Sequence, residues 1–235
     1  MKRYFMKSTA VAGSLLALAG SADAQQASRG PGGFVGFSLV AGDPVGELGS
    51  VVDQGFGVQI AGGAPIAIKG IVRIRGDLGV LVYGHERFQE CSFGCRVLTD
   101  LTTTNSIVSG GIGPELVLGL GSLQPYAHAS VGLSYFVTSS SFNDHDGYGP
   151  YMETTNYSDL VFGWAFGGGL RMRLGGEPKS VYLDLGVKHH DNGIASYLTE
   201  GGIVDHSDGS VTIHPNRSEA DLMSFHLGIT IELPS

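Results

Sequence analysis

The sequence predicts an all-β fold: eight antiparallel strands closed up-and-down into a transmembrane β-barrel, with short periplasmic turns and longer extracellular loops. Three observations predict it. Apolar residues recur with a period of two, not 3.6, over eight separate segments. The connections between those segments alternate between short and long, as in barrels that enter a membrane from one side. The face opposite the apolar one carries nearly all the strand charges, the reverse of a soluble barrel.

The segments, in order, are 33–41, 55–63, 69–84, 103–118, 123–137, 159–174, 180–190 and 220–233. The last alternates most cleanly. Met223, Phe225, Leu227, Ile229, Ile231 and Leu233 fall on one face, and Ser224, His226, Gly228, Thr230 and Glu232 on the other. The sixth sets Leu160, Phe162, Trp164, Phe166, Leu170 and Met172 against Gly163, Ala165, Gly167, Gly169, Arg171 and Arg173. The seventh sets Val181, Leu183, Leu185 and Val187 against Tyr182, Asp184, Gly186 and Lys188. Glycine, 38 residues in all, disfavours long helices and suits strands, turns and close backbone approach. An even strand count closes the sheet without a free edge, which a lipid environment requires.

The charges fix which face meets lipid. An Arg on the lipid face at the bilayer midplane costs roughly 2–4 kcal/mol. The charged face therefore points inward. The inward set contains the cations Arg73, Arg75, Arg171, Arg173 and Lys188 and the acids Asp77, Glu115, Asp184 and Glu232. This near balance predicts a salt-bridged lumen, and eight strands leave a lumen that side chains alone can fill. A wide diffusion channel is not expected.

The N-terminus predicts export. Lys2, Arg3 and Lys7 precede an apolar stretch around Val11 to Ala19, and Ala22-Asp23-Ala24 supplies the small-residue cleavage pattern. The expected organisation is a signal peptide over 1–24, a short linker over 25–32 and a barrel domain over 33–235. The signal peptide holds three basic residues and one acid, so its removal takes the net charge from −8 to −10. That sign argues against nucleic acid. Outside this stretch no run approaches 18 apolar residues, so no helical membrane span is expected. Cys91 and Cys95 lie four residues apart in an oxidising compartment. A small loop disulfide is favoured over a metal site that would add His85.

Gly33-Phe34-Val35-Gly36-Phe37-Ser38, Pro44-Val45-Gly46, Gln124-Pro125-Tyr126-Ala127-His128, the signal peptide and the alternating last strand together resemble the bacterial outer membrane β-barrel superfamily, the class of the OmpA transmembrane domain. The resemblance spans residues 33–233. It implies location in the cell outer membrane, contact with its lipid, and insertion by an assembly machinery that reads the last strand. Members usually end that strand on an aromatic residue; here the chain reads Glu232-Leu233-Pro234-Ser235.

One stretch bears on catalysis. Lys188-His189-His190-Asp191-Asn192 resembles the His-x-Ser-Asn region of outer-membrane lipid A deacylases, eight-stranded barrels in which a His activates a Ser. With His189 aligned to that His, Asp191 occupies the Ser position and the nucleophile is missing. A serine beside either histidine would be needed for such an enzyme. Asp144, His145 and Asp146, and Asp205, His206, Asp208 and His214, are loop mixtures without an EF-hand or zinc spacing. No cofactor is expected. The reading is a non-enzymatic, porin-like outer membrane barrel whose loops carry a structural, adhesive or surface-binding role, with no ligand specified. The alternatives are a deacylase-like hydrolase, a soluble eight-stranded carrier of apolar ligands, and a narrow ion pore.

Overall fold

The computed structural model describes residues 31–67, 70–92, 97–119, 121–144, 150–175, 180–199, 201–206 and 210–234. The proposed signal peptide lies outside them. The barrel strands are β1 (Pro31–Pro44), β2 (Gly55–Ala67), β3 (Val72–Ser92), β4 (Val97–Val117), β5 (Leu123–Asp144), β6 (Pro150–Gly175), β7 (Ser180–Asp191) and β12 (Leu222–Pro234). Each pairs antiparallel with its neighbours, and β12 closes the barrel against β1, with Phe37 opposite Ile229 and Val35 opposite Ile231. Four short strands lie between β7 and β12: β8 (Ile194–Tyr197), β9 (Ile203–Asp205), β10 (Val211–Ile213) and β11 (Asn216–Glu219). They form two hairpin ladders, β8 with β11 and β9 with β10.

The alternation decides the facing. Val35, Phe37, Leu39, Phe56, Leu78, Ile112, Leu133, Phe162, Trp164, Phe225 and Leu227 turn outward and are exposed. Residues of the other parity are buried or small. The barrel thus has an apolar exterior and a polar interior, the polarity of a chain whose solvent is lipid.

Two differences from the sequence reading follow from one cause. Strands β3 to β6 run 21, 21, 22 and 26 residues, beyond the roughly 9–11 that a tilted strand needs to cross the hydrocarbon. The links after β3 and β5 are therefore short, spanning 93–96 and 145–149, where longer loops were expected. Segments rich in Thr, Ser and Tyr, read as loops for their polarity, have strand propensity and continue the ladders outward. Thr103 to Ser140 and Thr138 to Asn105 are hydroxyl-mediated cross-strand bonds at 2.8 and 2.6 Å.

The connection between β7 and β12 folds over the barrel mouth. Gly193, at φ +60°, turns the chain away from β7. Ala195, Tyr197, Leu198 and Ala220 from this connection are buried, as are Leu48 and Val52 from the β1–β2 connection. Most of them pack with Leu81, Tyr83, Ile107, Phe136 and Leu222 in one apolar cluster. The same mouth is pinned by Tyr83 Oη donating to Leu198 O (3.1 Å), Ser196 N to Asp159 Oδ2 (2.7 Å), Gly201 N to Glu86 Oε1 (2.9 Å) and Glu219 N to Glu47 Oε2 (3.0 Å).

Candidate functional site: a packed lumen

The lumen is built in layers. At the short-turn end Arg73 Nη2 meets Glu232 Oε1 at 2.7 Å, and Arg73 Nε donates to Gly70 O. Tyr182 Oη donates to Glu232 Oε2 and accepts from Gln124 Nε2. One layer inward Glu115, fully buried, receives three bonds. Arg75 Nη1 lies 2.8 Å from Oε2, and Arg171 contacts Oε1 and Oε2 at 2.9 and 2.7 Å. That bidentate geometry suits a planar guanidinium. Arg171 Nε also reaches Asp184 Oδ2 at 3.2 Å. Asp184 further accepts from Tyr126 Oη and Thr230 Oγ1, and His226 Nε2 stands 2.9 Å from the Tyr126 oxygen.

Arg171 is sandwiched between aromatic rings, its Cζ 4.4 Å from the Phe34 centroid and 4.2 Å from that of Tyr126. A desolvated cation–π contact of this kind is worth about 2 kcal/mol. Space for it comes from glycine. A Cβ on Gly169 would stand 2.6 Å from Tyr126 Oη, and one on Gly186 would stand 2.4 Å from the His226 ring.

The next layer holds Lys188, whose Nζ meets Asp77 Oδ1 at 2.7 Å and Gln59 Oε1 at 3.4 Å. Above it, His190 Nε2 lies 3.1 Å from Ser224 Oγ, and Ser224 Oγ lies 3.2 Å from Lys188 O. Asn192 accepts from Ser134 and donates to Ala220 O, both at 2.7 Å. Two cavities of about 20 Å³ each adjoin this layer, lined in common by Ser109, Ser134, His190 and Asn192. Such a volume holds about one water. The apolar cluster under the folded-over connection lies above.

Eight of the nine predicted lumen charges lie in this array. Four cations, Arg73, Arg75, Arg171 and Lys188, face four acids, Asp77, Glu115, Asp184 and Glu232. Arg173 sits instead at the exposed short-turn rim, opposite Tyr182 in register. Cys91 stands on β3 across from Leu98, whereas Cys95, and with it the proposed bridge, lies outside the described residues. So do His145, Asp146 and Asp208. No group of three or more His, Cys, Asp or Glu side chains suited to a metal occurs among the described residues. Of the contributors not singled out from the sequence, two are instructive. Phe34 turns inward, a fact signalled by its shared parity with Gly36 and Ser38. Ser224 meets His190, which no sequence spacing shows because β7 and β12 are joined by a long connection.

Barrel closure, an outward apolar face and a buried ionic interior define the class: an eight-stranded transmembrane barrel of the outer-membrane type. No family model and no curated protein matches the sequence. Among solved structures the chain is similar to neisserial surface protein A, with 14% identity, covering 86% of this chain and 97% of that one, at a TM-score of 0.48. It is likewise similar to Ail, the attachment invasion locus protein of Yersinia pestis, solved with the heparin analogue sucrose octasulfate, with 14% identity over 86% and 99% of the two chains and a TM-score of 0.45. A major outer membrane protein of Thermus thermophilus gives 14% identity over 85% and 99%, with a TM-score of 0.43.

Proposed function

We propose that the protein is exported, loses residues 1–24, is inserted into the cell outer membrane by the assembly machinery, and acts there as a non-enzymatic barrel with a closed lumen. The roof over its mouth and the extended strand ends then carry a structural, adhesive or surface-binding role. The observation that supports this reading best is the ionic array crossing the lumen from Arg73 to Lys188, roofed by an apolar cluster. Both layers are made of side chains packed against or paired with one another, which supports a closed lumen. A planar bilayer recording tests it. The reading expects no steady conductance from the parent protein; stable openings in every insertion would overturn the closed lumen.

The hydrolase alternative gains one feature, the Ser224–His190 contact. Its placement works against catalysis. The pair faces the lumen, not the outer leaflet where a lipid ester would lie. Lys188 O, 3.2 Å from Ser224 Oγ, competes with His190 for the hydroxyl's one proton. The adjoining cavities admit a water but no acyl chain. His189, the residue matched to the deacylase histidine, points outward against the Phe166 ring at 5.3 Å. Asp191, at the position where the deacylases have their serine nucleophile, also supports the non-enzymatic reading.

A further inference from the structure

The barrel wall is not of one height. β7 ends at Asp191, opposite Trp164, and Gly193 then turns the chain into the roof. Above Trp164, β6 continues through 150–163, and among the described residues no strand pairs with it on that side. Across the same four strands, β3 continues from Tyr83 to Ser92, past Val82, the last residue paired with β2. Strands β3 to β6 thus form an upper sheet with two edges. Leu160, Phe162 and Trp164 mark the apolar band on β6, whereas Thr154, Thr155 and Ser158 above it are exposed and polar. The β6 edge therefore stands in water, where unpaired backbone groups carry no lipid penalty.

The two edges differ. Natural edge strands are guarded by charge, by cover or by proline. The β3 edge carries His85, Glu86 and Arg87 in succession, and the roof lies against it through Tyr83 Oη to Leu198 O and Gly201 N to Glu86 Oε1. On β6 the roof is bonded lower down, at Asp159, through Ser196 N. Above that point Thr154-Thr155-Asn156-Tyr157-Ser158 carries no charge and is rich in residues that suit strands. The bulge at Asn156 turns its side chain inward, where Nδ2 donates to Ser140 Oγ at 2.6 Å. The surroundings of this uncharged edge are negative. Among the described residues of 43–54, 84–106, 138–159 and 191–221 there are 13 Asp and Glu against two Arg.

We propose that the β6 edge over 150–158 takes up an extended segment of another protein as an added strand, and that this segment carries lysine or arginine. This deepens the surface-binding reading and rests on it. Unpaired backbone N–H and C=O groups give affinity for an extended chain, as in other strand additions. The acidic surroundings select among such chains by drawing in cationic segments and repelling acidic ones. The place lies directly above the end of β7, which excludes a barrel strand of a neighbouring copy. Such a strand would run down onto β7, whereas a segment that ends or turns at that level fits. Acyl chains cannot fill the place either, since they offer no partner to backbone N–H and C=O groups.

The test uses the folded protein in nonionic detergent and three end-blocked probe peptides as long as the 150–158 edge. One alternates Lys with Val and another alternates Glu with Val. The third is the Lys–Val peptide methylated at every backbone nitrogen. Binding is read by fluorescence anisotropy and located by amide hydrogen exchange. The proposal expects the Lys–Val peptide to bind, to slow exchange in 150–158 and to leave 84–92 unchanged. It expects the methylated and Glu–Val peptides to bind at least about tenfold more weakly. Thr155→Lys, which puts a guarding charge on the edge, should weaken the Lys–Val peptide by about tenfold as well. A methylated peptide that binds as tightly as its parent would overturn strand addition in favour of plain charge attraction. Protection of 84–92 in place of 150–158, or unchanged affinity in Thr155→Lys, would overturn the choice of edge. A heat-shift gel on the same preparations separates these failures from failure of the barrel reading. A band that does not shift contradicts the barrel, whereas a shifting band with no peptide bound contradicts the β6 edge alone.

Discussion

Glu115 is the residue on which the lumen turns. It is fully buried and holds two guanidinium groups, so removing its charge takes from Arg75 its ion-pair partner and leaves Arg171 with Asp184 alone. Breaking a buried pair from one side costs about 3–5 kcal/mol. Glu115→Gln should lower the urea-unfolding free energy in lipid vesicles by that amount; a change within about 0.5 kcal/mol, the range of an ordinary surface substitution, would contradict the ionic array. At the outer rim Asp221 makes a prediction of opposite sign. Burial first, and then the nearby Asp191 charge, raise its folded pKa above the ordinary carboxylate value. A raised carboxyl favours the fold at acid pH, and that contribution is lost as pH rises through the folded value. Asp221→Asn should therefore be more stable than the parent at neutral pH, with the gain vanishing well below the carboxylate range in paired thermal-unfolding measurements. At this scale the sequence showed direction but not partners. The parity of Arg171 and Asp184 marked them as inward, whereas the meeting of Arg171 with Glu115 depends on how the β-ladders align around the closed barrel.

At the scale of elements, the β7–β12 connection is a roof held by few bonds. Asn192 ties it to the barrel wall, joining Ser134 to Ala220 O. Asn192→Ala leaves both partners unsatisfied, a loss of about 1–3 kcal/mol for each. Limited proteolysis should then cut within 192–221 at least about tenfold faster than in the parent. Cleavage confined to the strand ends, at parental rate, would place the roof's stability elsewhere. The roof was hidden in the sequence because its apolar members are scattered. Tyr197 and Leu198 are separated from Leu48 and Val52 by most of the chain, and no period links them. The strand extensions were hidden for another reason: polarity reads as loop, yet Thr and Ser pair well across strands once a neighbouring ladder fixes their register. Strands β7 and β12 were legible nearly to the residue because strict alternation of Ile, Leu, Val and Phe with polar residues is needed only where one face meets lipid.

At the scale of the whole molecule, one distribution explains both surfaces. Hydrocarbon outside selects Val35, Phe37, Leu133 and Phe162; the narrow lumen inside selects glycine, small hydroxyls and paired charges. A soluble carrier of apolar ligands would invert both. The measurement that bears most directly on this is heat-modifiability in fractionated outer membranes, with boiled and unboiled samples compared on an SDS gel. The account predicts a band in the outer-membrane fraction whose mobility shifts on boiling, since a closed ladder with no free edge resists detergent until heated. A soluble periplasmic protein with no shift would contradict the outward facing of the apolar band.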